Sequence, residues 1–238
     1  IIKIYMIIYS LITARSGSKG IKDKNIIDYN GFPLIYHSIK ISKDCDSINK
    51  TFVSTDSEKY AAICKKYGAE VPFIRPKHLA EDLSTDYEVF EHFIQFLKLN
   101  NYIMPDAILH LRPTYPNRDL SLLNKCVSTF ITNFKNYDSV RTVCKFDKLP
   151  QKTYYIQNET LIPYYKEYNH IKEPFNMPRQ LFPDSYIHNG CIDIVKTSTL
   201  INLKSMSGNK IYPIIMNEID DIDNLEDLKR SKNNSKNN

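Results

Sequence analysis

The chain has 238 residues, 42% hydrophobic and 25% charged, the composition of an ordinary globular protein whose core needs no disulfide or metal staple. Its formal charge of +5 does not mark a nucleic-acid groove, because Lys229, Arg230, Lys232 and Lys236 stand unopposed by acids in the last ten residues and leave a nearly neutral body. Residues 1–12 are apolar but broken by Lys3 and Ser10, too short for a membrane span; Cys45, Cys64, Cys126, Cys144 and Cys191 form no C-x-x-C pair and follow no secretory leader, so a reducing, cytoplasmic setting is expected.

Met6 stands directly before the first apolar run, which makes it a second candidate start beside Ile1. From there apolar runs alternate with amphipathic stretches through about residue 145, the pattern of an α/β protein with a mostly parallel sheet between helices. Strands are predicted at residues 5–12, 50–54, 71–74, 107–111 and 139–144, each rich in β-branched or long aliphatic side chains. Pro33 opens a helix over 34–42, and Asp56 or Ser57 caps a second that ends at Gly68. A third covers 85–99 with Val89, Phe93 and Phe96 on its apolar face, and a fourth runs from Asp119 to about Phe134.

After Phe146 the rhythm stops. Residues 147–186 are rich in Pro and Tyr, show no helical period and read as an inserted arm with a hairpin around Asn158 and Glu159. The β/α pattern returns with a strand at 187–195, a short helix after Lys196, a strand at 211–215 and a last helix from Asn224 to about Arg230. The expected organisation is an α/β domain of 1–146 and 187–230, the arm at 147–186 and a disordered tail at 231–238.

Two segments carry chemistry. The first strand empties into Thr13-Ala14-Arg15-Ser16-Gly17-Ser18-Lys19-Gly20-Ile21-Lys22-Asp23-Lys24-Asn25, where glycines let backbone N–H groups approach an anion and Arg15, Lys19 and Lys24 can neutralise a triphosphate. It is neither G-x-G-x-x-G nor a Walker loop, and a solvated basic turn is the plain alternative. Near the other end, Asp221-Ile222-Asp223 puts two carboxylates on one side of an extended segment, a spacing suited to Mg²⁺ beside phosphates; helix capping is the alternative, and it accounts for Glu226 and Asp227.

Together these segments resemble the acylneuraminate cytidylyltransferase (CMP-sialic acid synthetase) family over nearly the whole chain. Ala14 to Gly20 with Lys24-Asn25 is similar to the family's nucleotide loop. Ser54-Thr55-Asp56, Arg75-Pro76 with Leu79-Ala80, Arg112-Pro113-Thr114 with Pro116 and Arg118, Pro178-Arg179-Gln180, Asn189-Gly190 and Asp221-Ile222-Asp223 with Asp227-Leu228 follow in order. The resemblance implies a Rossmann-like nucleotidyltransferase core, a small dimerisation arm where 147–186 falls, a homodimer, Mg²⁺ and CTP. Carried over, Ala14, Arg15, Lys19, Lys24, Asn25 and Arg75 bind the nucleotide, with Arg15 and Lys24 on the phosphates. Asp221 and Asp223 hold the metal, with Asp221 also a candidate to take a proton, and Arg112, Lys152, Arg179, Gln180, Asn189 and Asp193 face the sugar acid.

Two positions depart from the sialic-acid pattern. Arg112 stands where a Gln is usual before Pro-Thr, and Asp193 where a Tyr usually follows Asn-Gly. Charges in place of a neutral amide and a phenol change which hydroxyl or N-acyl groups a site accepts, so a legionaminate, pseudaminate or other ulosonic acid fits as well as N-acetylneuraminate. Alternatively Arg112 pairs with Asp193, or Asp193 points out of its strand. The implied reaction is attack of the sugar's anomeric hydroxyl on the α-phosphorus of CTP, giving a CMP-sugar and pyrophosphate. The rival readings are a metal-dependent glycosyltransferase with an Asp-x-Asp site and a catalytically silent nucleotide-binding homologue.

Overall fold

The computed structural model of the chain describes residues 6–235. Six strands form the central sheet: β1 (Ile8–Thr13), β2 (Lys50–Ser54), β3 (Ala107–His110), β4 (Ser139–Phe146), β5 (Ser185–Lys196) and β6 (Ile211–Met216), in spatial order β6-β4-β5-β3-β1-β2. β1 pairs in parallel with β2 on one side and β3 on the other, while β5 runs antiparallel to β3 with Asp193 opposite His110. Every side chain of β1 from Ile8 to Ile12 is buried, as a central strand covered on both faces requires.

The helices are α1 (Leu34–Asp44), α2 (Glu58–Lys66), α3 (Asp86–Leu99), α4 (Leu120–Thr132), α5 (Thr197–Asn202) and α6 (Leu225–Asn234). Local chemistry starts several of them. Thr85 accepts from the Glu88 N–H while Glu88 reaches back, a full capping box, and Ser57 and Asp119 cap α2 and α4 with their side-chain oxygens. Phe90, Phe93, Ile94 and Leu97 of α3 pack with Tyr9, Leu11, Phe52 and Ile108 of the sheet and Leu200 of α5 into one apolar cluster.

Because β1 sends the chain first to β2 and later, through α3, to β3 on its other side, the strand order reverses at β1. In such sheets the crevice beyond the carboxyl ends of the strands at this point is where ligands bind. The loops following β1 and β3 meet there.

Three expectations change. Residues 71–74 form no strand: Glu70 makes a single bridge to Phe52, and Pro72, lacking an N–H, cannot continue the ladder. The last helix passes Arg230 and ends at Asn234, because Asn224 and Asp227 make a capping box and Ser231 is fully buried; residues 231–234 are therefore helix rather than tail, and 236–238 lie outside the described residues, as does the residue 5 end of the first predicted strand. Finally, the chain separates into a larger unit, reaching Thr142 and including Asn189–Ile214 and the segment from Asp220, and a smaller one of Val143–His188 with Ile215–Ile219. That smaller unit starts inside β4, four residues ahead of the expected 147.

Within the smaller unit, Tyr154–Gln157 pairs with Thr160–Pro163 as a hairpin. Asn158 and Glu159 at its tip have φ of 49° and 60°, as the mirror-image turns of tight hairpins demand.

Candidate active site

The loop after β1 is built against the sheet rather than left to solvent. Asp56, which the sequence offers as a helix cap, instead accepts from Ser16 through its backbone N–H at 2.8 Å and its hydroxyl at 2.7 Å. Asn25 donates to the Arg15 carbonyl at 2.9 Å, and Ala14, fully buried, donates its N–H to the Ser54 carbonyl. These bonds fix the turn and leave the cations of the loop facing a crevice.

The acid segment meets this loop directly. Ile222 is fully buried in a cluster with Ile21, Tyr29, Leu34 and Leu228, and its N–H donates to the Thr114 carbonyl at 2.9 Å. Burying that side chain, worth about 2 kcal/mol, pins the segment to the core and leaves Asp223 exposed and Asp221 half-buried beside it. Lys24 Nζ donates to the Ile222 carbonyl at 2.9 Å and to Asp223 Oδ1 at 3.1 Å. A Cβ on Gly20 would lie 2.5 Å from the Asp223 carbonyl oxygen, so only glycine permits this approach.

Between them lies a cavity of about 450 Å³ lined by Arg15, Lys19, Lys24, Asn25, Arg75, Arg112, Asp223 and the loop 79–86. Arg75 is buried, with Nε and Nη2 lacking any hydrogen-bond partner; burial pushes its guanidinium pKa down against the pull of Asp56 and Asp86. A buried cation with free donors at a cavity wall is costly unless an acceptor completes it. Arg15 and Lys19 both reach Asp82, at 3.1 and 2.5 Å, and the hydrogen bond from Lys19 leads in holding that carboxyl below the usual range.

On the far wall Arg112 bridges two acids, Asp86 and Asp193, each at 2.8 Å, and Asp193 also takes a 2.7 Å bond from Arg141 of β4. Burial pushes the Asp86 carboxyl up while the Arg112 guanidinium and its hydrogen bond pull it down; for Arg112 burial is outweighed by Asp193 and Asp86, and its pKa rises. Behind them His110 is fully enclosed, its Nε2 3.0 Å from Thr13 Oγ1 and Nδ1 4.0 Å from Asp86, and burial drives its pKa down to about 3. It is a neutral ring at pH 7. Arg118, also buried, fastens the loop after β3 by donating to the carbonyls of Cys191 at 2.7 Å, Arg112 at 2.6 Å and Tyr115.

Of the residues expected from sequence, Arg15, Lys19, Lys24, Asn25, Arg75, Arg112 and Asp223 share this cavity. Asp221 stands behind it, bonded by Thr114, with Oδ1 buried and unpartnered and its carboxyl pKa raised by burial and by Asp223. Asn189 spends its carboxamide oxygen inside the sheet, accepting from Thr142 Oγ1 at 2.7 Å and the Cys191 N–H at 3.1 Å. Gly190, at φ 71°, lets β5 pass beside Arg112 and Asp221. Lys152, Arg179 and Gln180 belong to the smaller unit, on two short 3₁₀ turns. The sequence missed Asp82, Asp86 and Arg141. Asp86 directly follows a helix cap and so reads as an acid placed for the helix dipole, and nothing local marks the other two.

A family model described as cytidylyltransferase matches residues 9–171. The chain belongs to this family. Among related cytidylyltransferases, the pseudaminic acid cytidylyltransferase of Campylobacter jejuni is 27% identical over 93% of this chain and 93% of its own. The CMP-N,N'-diacetyllegionaminic acid synthase of Legionella pneumophila is 28% identical over 90% of this chain and 88% of its own. In fold, the cytidylyltransferase superposes on a CMP:2-keto-3-deoxy-manno-octonic acid synthetase solved with CTP, at a TM-score of 0.70 and 13% identity over 97% of this chain and 99% of the other. The enzyme is thus a nucleotidyltransferase, and the family decides against the glycosyltransferase reading.

Proposed function

We propose that the protein joins CMP from CTP to an ulosonic acid of the pseudaminic or legionaminic kind, releasing pyrophosphate. The observation that carries this reading is the junction of the basic loop and the acid segment through Lys24, at a cavity whose wall holds the unsatisfied guanidinium of Arg75. Relatives with those two sugar-acid names align along nine-tenths of the chain, which supports the substrate class.

In this reading Arg15, Lys19 and Lys24 bind the triphosphate and Arg75 completes its donors on the nucleotide. The anomeric oxygen of the sugar attacks the α-phosphorus, the bond to the β-phosphate oxygen breaks, and the proton passes to Asp221. Arg15 and Lys24 neutralise charge on the phosphates throughout, and positioning supplies most of the acceleration. Lys152, Arg179 and Gln180 are assigned to the sugar acid, because a carboxylate needs a cation and an arginine can bind it bidentately. Arg112 and Asp193 neutralise each other and act on the sugar as a pair rather than as free charges.

The acid segment fits Mg²⁺: Asp221 Oδ1 is a buried oxygen with no partner, and Asp223 is an exposed carboxylate at the cavity edge, both hard donors. Asp221 and Asp223 would hold the ion, which when bound supplies charge to the phosphates. Five buried cysteines, none in a C-x-x-C pair, favour a reducing compartment such as the cytoplasm, and no helix of the described residues is long and apolar enough to cross a membrane. Exposed Tyr154, Ile156, Leu161 and Tyr164 on the smaller unit favour a homodimer formed through that arm, which sedimentation would test.

The deciding assay incubates protein, CTP and Mg²⁺ with pseudaminic, legionaminic, N-acetylneuraminic and eight-carbon ulosonic acids. A CMP-sugar with matching pyrophosphate is expected from one of the first two. Nucleotide binding without product from any acid would overturn the proposal.

A further inference from the structure

Beneath the acid segment lies a buried polar network outside the cavity. Ser231 of α6, fully buried, donates its hydroxyl to Asp220 Oδ2 at 2.8 Å. Asn117 donates to the same oxygen at 2.7 Å and to the Ser231 carbonyl at 2.9 Å. The single hydroxyl proton of Ser231 is used on Asp220, so toward Tyr29, 2.9 Å away, Ser231 Oγ accepts, and the Tyr29 hydroxyl shares its proton between Ser231 Oγ and Asn117 Oδ1 at 3.0 Å. Every donor has an acceptor.

Each member joins a different part of the site to the last helix. Tyr29 follows the basic loop, Asn117 lies three residues after Thr114, and Asp220 immediately precedes Asp221. The neighbouring apolar contacts of Ile222 and Leu228 set the depth of the segment but are non-directional, whereas hydrogen bonds to a buried carboxylate also fix its rotation. A carboxylate as enclosed as Asp220 is tolerated because this network satisfies it.

We propose that Asp220, Asn117 and Ser231 are positioning residues for Asp221 and Asp223, so that α6 controls how well the acid pair holds its cation. The proposal rests on the metal reading given above. Supporting partners behind metal-binding carboxylates commonly alter affinity by one to two orders of magnitude.

The test compares Ser231→Ala and Asp220→Asn with Asp223→Asn and with a core control, Phe130→Leu on α4. Three quantities are read: the Mg²⁺ concentration for half-maximal pyrophosphate release at saturating CTP and sugar, the melting temperature, and amide hydrogen exchange over residues 217–224 without metal or nucleotide. In Ser231→Ala the half-saturating Mg²⁺ is expected to rise about tenfold with kcat at saturating Mg²⁺ within about twofold of the parent. Exchange should quicken in 217–224 and not in α3, and Ser231→Thr, which keeps the hydroxyl, should restore both. Should Asp220→Asn fail to fold, Ser231→Ala carries the test alone. Mg²⁺ dependence no different from that of Phe130→Leu would overturn the proposal and reduce the network to a helix anchor. Mg²⁺ dependence unchanged in Asp223→Asn would instead show that the metal reading has failed, and the proposal falls with it.

Discussion

Lys24 Nζ lies 3.1 Å from Asp223 Oδ1 although 199 residues separate the two, and through this contact the basic loop and the acid segment close one edge of a single cavity. The same lysine also holds the Ile222 carbonyl, so its loss would loosen the segment as well as remove a charge.

Asp221→Asn and Asp223→Asn are each expected to lower turnover at least a hundredfold, about 2.7 kcal/mol of barrier, with little change in melting temperature. Pyrophosphate release at ordinary Mg²⁺ measures it. Parent-like rates in both variants would end the metal assignment.

Asp82 occupies Arg15 and Lys19 together, as an internal counter-anion that a triphosphate bound as proposed would displace. Asp82→Asn is therefore expected to lower KM for CTP about threefold, the modest scale of an exposed pair, with kcat little changed. Arg15→Ala should lower kcat at saturating CTP whichever sugar is offered. A higher KM for CTP in Asp82→Asn would mean that the acid positions the loop rather than competing for it.

Removing Arg112 takes a bound cation from both Asp86 and the buried Asp193, while Asp193 keeps its bond from Arg141. Arg112→Gln is expected to cost about 3 kcal/mol, read from urea unfolding, and the added change Asp193→Asn should recover part of it. Arg112→Gln with Asp193→Tyr should shift relative kcat/KM toward N-acetylneuraminate about tenfold. An unchanged ranking across the sugar panel would make the pair structural.

His110 titrates near 3 when folded and near 6.5 when unfolded, because burial disfavours the charged ring. The unfolded chain takes up its proton first, so the contribution is intact above about pH 6.5 and is lost as pH falls from there toward 3. Between pH 7 and 5 the urea midpoint of the parent should fall more than that of His110→Gln. Equal slopes would place the acid sensitivity elsewhere.

What the sequence determined by itself is what local pattern encodes. Alternating apolar runs set strands and helices, small residues and cations marked the loop after β1, Asp221-Ile222-Asp223 announced an acid pair, and Thr85 and Ser57 started their helices through bonds to neighbours in the chain. What the tertiary structure decided depends on strand order. Asp193 meets Arg112 because β5 runs antiparallel beside β3 with Asp193 opposite His110, and Arg141 joins them from β4 on the other side of β5. Asp86 and Asp82 read locally as ordinary surface acids until α3 and the loop before it are laid against the crevice. Ser231, in a polar stretch that looks like a tail, becomes core only once Asp220, Asn117 and Tyr29 converge on it. Side-chain periodicity reports which face of an element is buried, whereas the partner of a buried charge is fixed by register between segments that are distant in the chain.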